Sequence, residues 1–299
     1  MFFVKYSFYN KCISKGLNFV KIKGIVLFEC GVLIMYNKGL NGFINNFINE
    51  FCSINDVKAI VLAGSRSKEQ FDDKSDYDFY IYSKNSIDAK IRNEILLKYC
   101  EYFELGNSYW ELEDNGRFNN GIYFDIVYRN LKDFTDTIAN VVENFNSYNG
   151  FTTCLWFNIL NSKIIFDRDN IFKKMQKRFS VPYPKKLKES IIKRNIALLS
   201  DSVASYDKQI IKSIYRKDII NLNNRISAFF ASYFDIIFAI NELPNPGEKR
   251  IMEICQKECK ILPNDFEKNI NDLIYPINND ISQVEETVNT IICELKKIL

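Results

Sequence analysis

Apolar and polar positions follow two different periods along this chain, and the change of period divides it. From Val57, "VKAIVLAGS" is a continuous apolar run closed by Gly-Ser, the pattern of a buried strand. "SDYDFYIYS" (75–83) alternates and predicts a second strand; "GIYFDIVYR" (121–129) predicts a third and "SKIIFDRD" (162–169) a fourth. Between them, "IDAKIRNEILLKYCEYF" (87–103) predicts a helix, with Ile91, Ile95, Leu96 and Tyr99 spaced for one face. Strands interleaved with helices imply a mixed sheet with helices around it.

Beyond about residue 170 the strand signals fade. "LKESIIKRNIALLSDSVASY" and "DKQIIKSIYRKDIINLNNRISAFFASYFDIIFAIN" have helical period, broken at "ELPNPGEKR" (242–250) by two prolines and a glycine. In "SQVEETVNTIICELKKIL", Ser282 and Glu285 have the spacing of a capping box. Val284, Val288, Ile291, Leu295 and Ile298 follow as an apolar stripe, with lysines near the end, where the helix dipole favours cations. The expected fold class is α+β: an N-terminal mixed sheet with flanking helices over 35–170, then an all-helical region over 171–299. Residues 1–34 read as an extension. "MYNKGLNGFINNFINEF" from Met35 looks like an amphipathic first helix, so Met35 is a candidate start; the alternative is an extra strand or hairpin at the domain edge. The mass of natively expressed protein decides between them.

Composition narrows the chemistry. With 47% apolar residues the chain can bury a large core and does not read as disordered. A net charge of +3 argues against broad charge-driven binding to nucleic acid. The run "GIVLFECGVLIM" (24–35) is too short to span a bilayer. Eight scattered cysteines and no cleavable signal pattern point to the cytoplasm. Cys255 and Cys259 sit four apart with no histidine or second pair beside them, too few ligands for structural zinc. The chain contains no histidine at all, which removes Ser-His and Cys-His catalysis and histidine metal sites together. Acid–base work must fall to carboxylates, lysine, tyrosine or cysteine.

The carboxylates that stand out are Asp76 and Asp78. On a strand, residues two apart share a face, so these two project together with Tyr80 and Tyr82. Two adjacent carboxylates repel unless a cation lies between them, and Mg²⁺, which takes hard oxygen ligands and completes its shell with phosphates, suits them. The plain alternative is a pair of solvated strand-end aspartates. Upstream, Gly64-Ser65 ends a strand, and such a turn can aim N–H groups and a hydroxyl at an anion. Asp125, in "YFDIV", is a carboxylate inside an apolar strand run, costly unless paired or ligating.

Gly-Ser, a polar stretch, Asp-x-Asp and a later single Asp resemble the nucleotidyltransferase superfamily of the DNA polymerase β type. More narrowly they are similar to small bacterial nucleotidyltransferases such as the aminoglycoside and lincosamide adenylyltransferases. The motif residues cover roughly 57–129, with weaker likeness at "SKIIFDRD" and "FAINELPNPGEKR". The resemblance implies that Gly64 and Ser65 hold the β- and γ-phosphates of a nucleoside triphosphate and that Asp76 and Asp78 ligate metal. Asp125 would ligate a second ion, help activate the acceptor hydroxyl, or both. It further implies two Mg²⁺ ions, ATP or another triphosphate as co-substrate, and AMP transfer to a hydroxyl of a small molecule, an antibiotic among the candidates. The alternatives are a protein acceptor, as in antitoxin-type relatives, and a non-catalytic nucleotide-binding or partner-neutralising module.

Arg66 and Lys68 could reach phosphate oxygens or stand as solvated turn charges. Asp167 reads as a strand-end residue or an acceptor-side group, and Asp235 as a residue bonded to a helical neighbour or an acceptor-side base. Lys173, Lys174, Lys177, Arg178, Lys185, Lys186 and Lys188 form a basic run, a solvated face or a lure for an anionic acceptor. No membrane partner is expected, and the oligomeric state is left open.

Overall fold

The structure is a computed structural model. It describes residues 19–22, 25–28, 33–35, 40, 42–67, 75–274 and 283–299. The chain divides into two compact units: 1–135 with 161–175, and 136–160 with 176–299.

In the first unit, β1 (Phe19–Ile22), β2 (Ile25–Phe28) and β3 (Leu33–Met35) pair antiparallel as a small sheet. Helix α1 (Gly42–Cys52) follows, starting seven residues after Met35, and buries Ile44, Phe47, Ile48 and Phe51. The main sheet has six strands in the order β6-β7-β8-β5-β4-β9. These are β4 (Val57–Leu62), β5 (Tyr77–Ser83), β6 (Cys100–Asn107), β7 (Leu112–Phe118), β8 (Tyr123–Asn130) and β9 (Lys163–Asp167). Only β5 and β8 run parallel; the other neighbours are antiparallel. The sheet is therefore mixed, as its sequence implied.

One face of this sheet carries the apolar core. Tyr77, Phe79 and Ile81 of β5 and Phe124, Ile126 and Tyr128 of β8 pack against Phe47 and Phe51 of α1. Two residues apart on one strand means one face, so this core is the direct product of alternation. The helix expected over 87–103 is shorter: α2 spans Ala89–Tyr99, capped by the Asp88 side chain accepting from Lys90 N–H. The chain then enters β6, because Phe103 and Leu105 alternate onto the core while Tyr102 and Glu104 face away. Ile91, assigned to the inner face, is 43% exposed.

Strand β7 went unrecognised for a reason visible in its burial. Its inward positions are Asp114, Gly116 and Phe118, and the first two stand where an apolar pair would have announced a strand. Asp114 is fully buried and accepts from Arg92 Nη1 (2.6 Å), Gly106 N–H (2.7 Å) and the Tyr128 hydroxyl (2.7 Å). A carboxylate can lie in a core when each of its lone-pair directions has a donor. Gly116 leaves room for β6: a Cβ there would lie 2.5 Å from the Tyr102 carbonyl oxygen.

In the second unit the described residues are helical throughout their regular elements. The division falls within α3 (Leu131–Val142), α4 (Cys154–Asn161) and α5 (Ile171–Phe179), and the second unit holds in full α6 (Lys185–Ile196), α7 (Tyr206–Tyr215), α8 (Ile219–Ile240), α9 (Ile251–Glu258), α10 (Phe266–Ile274) and α11 (Val284–Lys296). Their core centres on α8, in which every residue from Ser232 to Ile240 is buried. On α11 the stripe Val284, Val288, Ile291 and Leu295 is buried as spaced; Ser282, the proposed cap, lies outside the described residues. Trp156 is a core residue, its indole N–H donating to the Phe179 carbonyl at 2.8 Å. No helix among the described residues is long and apolar enough to cross a membrane.

Candidate active site

The site lies on the sheet face opposite the aromatic core of the first unit. At the end of β4 the ladder continues one residue further, with Ala63 N–H donating to the Asp78 carbonyl at 2.9 Å. The chain then turns at Gly64, whose φ of +59° is left-handed, into a single 3₁₀ turn, Ser65–Ser67. The Ser67 hydroxyl closes that turn onto the Gly64 carbonyl (2.7 Å). Glycine is required here twice over. A Cβ at residue 64 would be strained by its φ and would sit 1.7 Å from Asp78 Oδ2. The Asp78 carboxylate thus lies directly against the turn.

Parallel pairing of β5 with β8 sets Asp78 opposite Asp125. Antiparallel pairing then sets Asp125 opposite Asn115 on β7, and Asn115 opposite Glu104 on β6. Directly opposed residues share a face, so four polar side chains form one row across four strands. Asn115 Nδ2 donates to Asp125 Oδ1 at 2.7 Å. Asp76, exposed and one residue ahead of β5, borders the same cleft as Asp125. That cleft is about 450 Å³ and also takes its walls from Tyr102, Glu104, Asn115 and Tyr123. The neighbouring Tyr123 holds the Tyr102 phenol above its ordinary pKa.

Of the residues singled out from sequence, Gly64, Asp78 and Asp125 are brought together, Asp76 joins Asp125 at the cleft, and Ser65 is exposed beside Gly64. Arg66 is placed differently from a phosphate-reaching side chain. It is buried, donates from Nε to the Ser75 carbonyl at 2.6 Å and lies 4.2 Å from the Tyr77 ring centre. Lys68 lies outside the described residues. Sequence reasoning missed Asn115, Glu104 and Tyr102, which depend on recognising β6 and β7, and Tyr123, which lies on the predicted third strand but carried no signal of its own. The one available signal was alternation in "LEDNGRF", obscured by its inward Asp and Gly.

Among the described residues, no three His, Cys, Asp or Glu side chains are grouped as a ready-made metal cage. The donors fit a hard cation nonetheless: all are carboxylate oxygens, two of them on register-paired residues. Mg²⁺ typically binds through one or two carboxylates and completes its shell with water and substrate phosphates. An incomplete protein shell is therefore what such a site presents.

The other candidates have local partners. Asp167 accepts from the backbone N–H groups of Phe172 and Lys173, both at 2.9 Å, at the start of α5. In the second unit, Asp235 is 1% exposed and accepts from Thr152 N–H (3.0 Å), Asn245 Nδ2 (3.2 Å) and Asn195 Nδ2 (3.3 Å). Burial pushes its carboxyl up to about 6 against the opposing pull of those donors. Within that unit, Arg178, Lys185 and Lys188 of the basic run pair with Glu143, Glu189 and Glu242.

Residues 44–148 match the family model of the nucleotidyltransferase domain. No curated protein sequence matches the chain. Among solved structures, a nucleotidyltransferase-like protein from Exiguobacterium sibiricum is similar at 10% identity and a TM-score of 0.42, over 85% of this chain and 72% of that one. An aminoglycoside 6-adenyltransferase from Bacillus subtilis is similar at 10% identity and a TM-score of 0.30, over 87% of this chain and 89% of that one.

Proposed function

We propose that this chain, whose residues 44–148 match the nucleotidyltransferase domain, transfers a nucleoside monophosphate, AMP from ATP, to a hydroxyl of a small molecule. Asp76, Asp78 and Asp125 act as its working carboxylates. The observation that carries this reading is the opposition of Asp78 and Asp125 on parallel strands, with Asp78 pressed against Gly64. Asp76, Asp78 and Asp125 would hold divalent cations, whose positive charge would offset the negative charge of the triphosphate and favour ionisation of the attacking hydroxyl.

The chain's own groups supply the rest. Gly64, bare of a side chain, lets the Asp78 carboxylate lie against the turn, and Ser65 offers a hydroxyl at the opening of the 3₁₀ turn. Asp78 and Asp125 fix two negative charges side by side, so a cation-bound triphosphate is favoured over a free one. The acceptor oxygen bonds to the α-phosphorus as the bond to the β-phosphate oxygen breaks, pyrophosphate leaves, and Asp125 takes the hydroxyl proton. A cleft of about 450 Å³ bordered by Asp76 and Asp125 is of a size that holds small molecules, which favours such an acceptor.

The test is transfer of labelled AMP, or pyrophosphate release, by the wild type and by Asp78→Asn with Mg²⁺. Loss of a metal ligand is expected to slow turnover by about 10²-fold or more. Equal turnover by both proteins rejects the assignment, and label that migrates with protein moves the acceptor from small molecule to polypeptide.

A further inference from the structure

We propose that Asn115 is a positioning residue for Asp125, held in its working orientation by Asn107; this rests on the reading of Asp78 and Asp125 as cation-holding carboxylates. The orientation of the Asn115 amide is dictated by its neighbours. Its Nδ2 lies 2.7 Å from Asp125 Oδ1 and 3.3 Å from Glu113 Oε2, both acceptors, so the nitrogen must face that side. Its Oδ1 accepts from Asn107 Nδ2 at 2.6 Å, and Asn107 Oδ1 accepts from Tyr109 N–H at 3.2 Å. A chain of donors thus runs from the β6–β7 hairpin to the carboxylate.

Such a bond does two things. It occupies one oxygen of Asp125 with a donor to an ionised acceptor, the stronger kind of hydrogen bond. It also stops rotation of the carboxylate about its last torsion, which directs the other oxygen along one line. Groups that orient a ligand without touching the metal typically matter 10–100-fold in metal affinity or activity. Asn115 sits opposite Asp125 in the β7–β8 register, so the backbone fixes the donor's origin and Asn107 fixes its direction.

The experiment compares wild type, Asp78→Asn, Asn115→Ala and Asn107→Ala for binding of Mn²⁺ alone and for steady-state turnover, with melting curves as the folding control. Asn115→Ala is expected to weaken Mn²⁺ binding about tenfold or more and to lower kcat, with KM for the triphosphate little changed. Asn107→Ala should move both readouts in the same direction by less. If Asp78→Asn weakens Mn²⁺ binding while Asn115→Ala binds like wild type, the positioning role is overturned and the carboxylate site stands. If neither changes Mn²⁺ binding, the carboxylate site itself falls, and the role of Asn115 with it. A lowered melting point with unchanged Mn²⁺ affinity in the folded protein identifies Asn115 as structural only.

Discussion

Replacing Gly64 by alanine tests the junction between the turn and the carboxylate. The added Cβ would sit 1.7 Å from Asp78 Oδ2 and 2.7 Å from its Cγ, whereas real Cβ atoms essentially never approach within 3.0 Å. The carboxylate oxygen or the turn must therefore give way by about 1.3 Å. Moving a reacting group by about 1 Å can cost about 10²-fold in rate, so turnover by Gly64→Ala should fall by at least that much. The left-handed φ of +59° adds about 1–2 kcal/mol of backbone strain. Gly121 supplies the control, because its φ is +84° but nothing lies within 4 Å of a Cβ there. Gly121→Ala should lose comparable stability, a few degrees in melting temperature, while keeping its activity. Pyrophosphate release and melting curves on the two variants separate strain from displacement. Equal activity losses, or none at Gly64, would show that the approach of Asp78 to the turn is irrelevant to catalysis.

Arg92→Ala should destabilise the protein by about 3–5 kcal/mol in urea unfolding, because it leaves the charge of fully buried Asp114 without its cation. A loss under about 1 kcal/mol would show that Gly106 N–H and the Tyr128 hydroxyl satisfy Asp114 by themselves. Asp235, raised from 3.8 to about 6, binds its proton more tightly folded than unfolded. Its contribution to stability is therefore fully present below about pH 4 and is lost as pH rises through about 6. Urea unfolding of the wild type and Asp235→Asn across pH 4 to 7 should show that dependence only in the wild type; parallel curves would refute it.

How much was legible can be argued from individual residues. The core strands β4, β5, β8 and β9 announced themselves because their inward positions are apolar, as with Phe79 and Ile81 or Phe124 and Ile126. β7 did not, because two of its three inward positions hold an ion-paired aspartate and a glycine, and both depend on partners far along the chain: Asp114 needs Arg92, and Gly116 makes room for Tyr102 and Phe103. The first half of β6, Cys100 to Phe103, falls within the helix expected over 87–103, since those residues suit either period locally. The polar row was therefore half visible, with Asp78 and Asp125 anticipated and Asn115 and Glu104 hidden on the two missed strands. Arg66 offers the same lesson at one residue. Its charge beside a phosphate-type turn left a phosphate contact and a solvated turn charge both open, and neither reading anticipated its burial against Ser75 and Tyr77.

By itself the sequence determined everything that depends on near neighbours: Gly64 where the chain needs a left-handed turn, and Asp78 on the face opposite Phe79. It also set the helical period of the second half and the exclusion of histidine chemistry. Tertiary structure alone decided that β8 lies beside β5, and in the register that sets Asp125 opposite Asp78. Strand side chains alternate, so a slip of one residue would have sent Asp125 toward the core and left Asp78 without its companion. That choice belongs to contacts between distant segments, where burying Phe124 and Ile126 against Phe47 and Phe79 selects one register and carries the polar row with it.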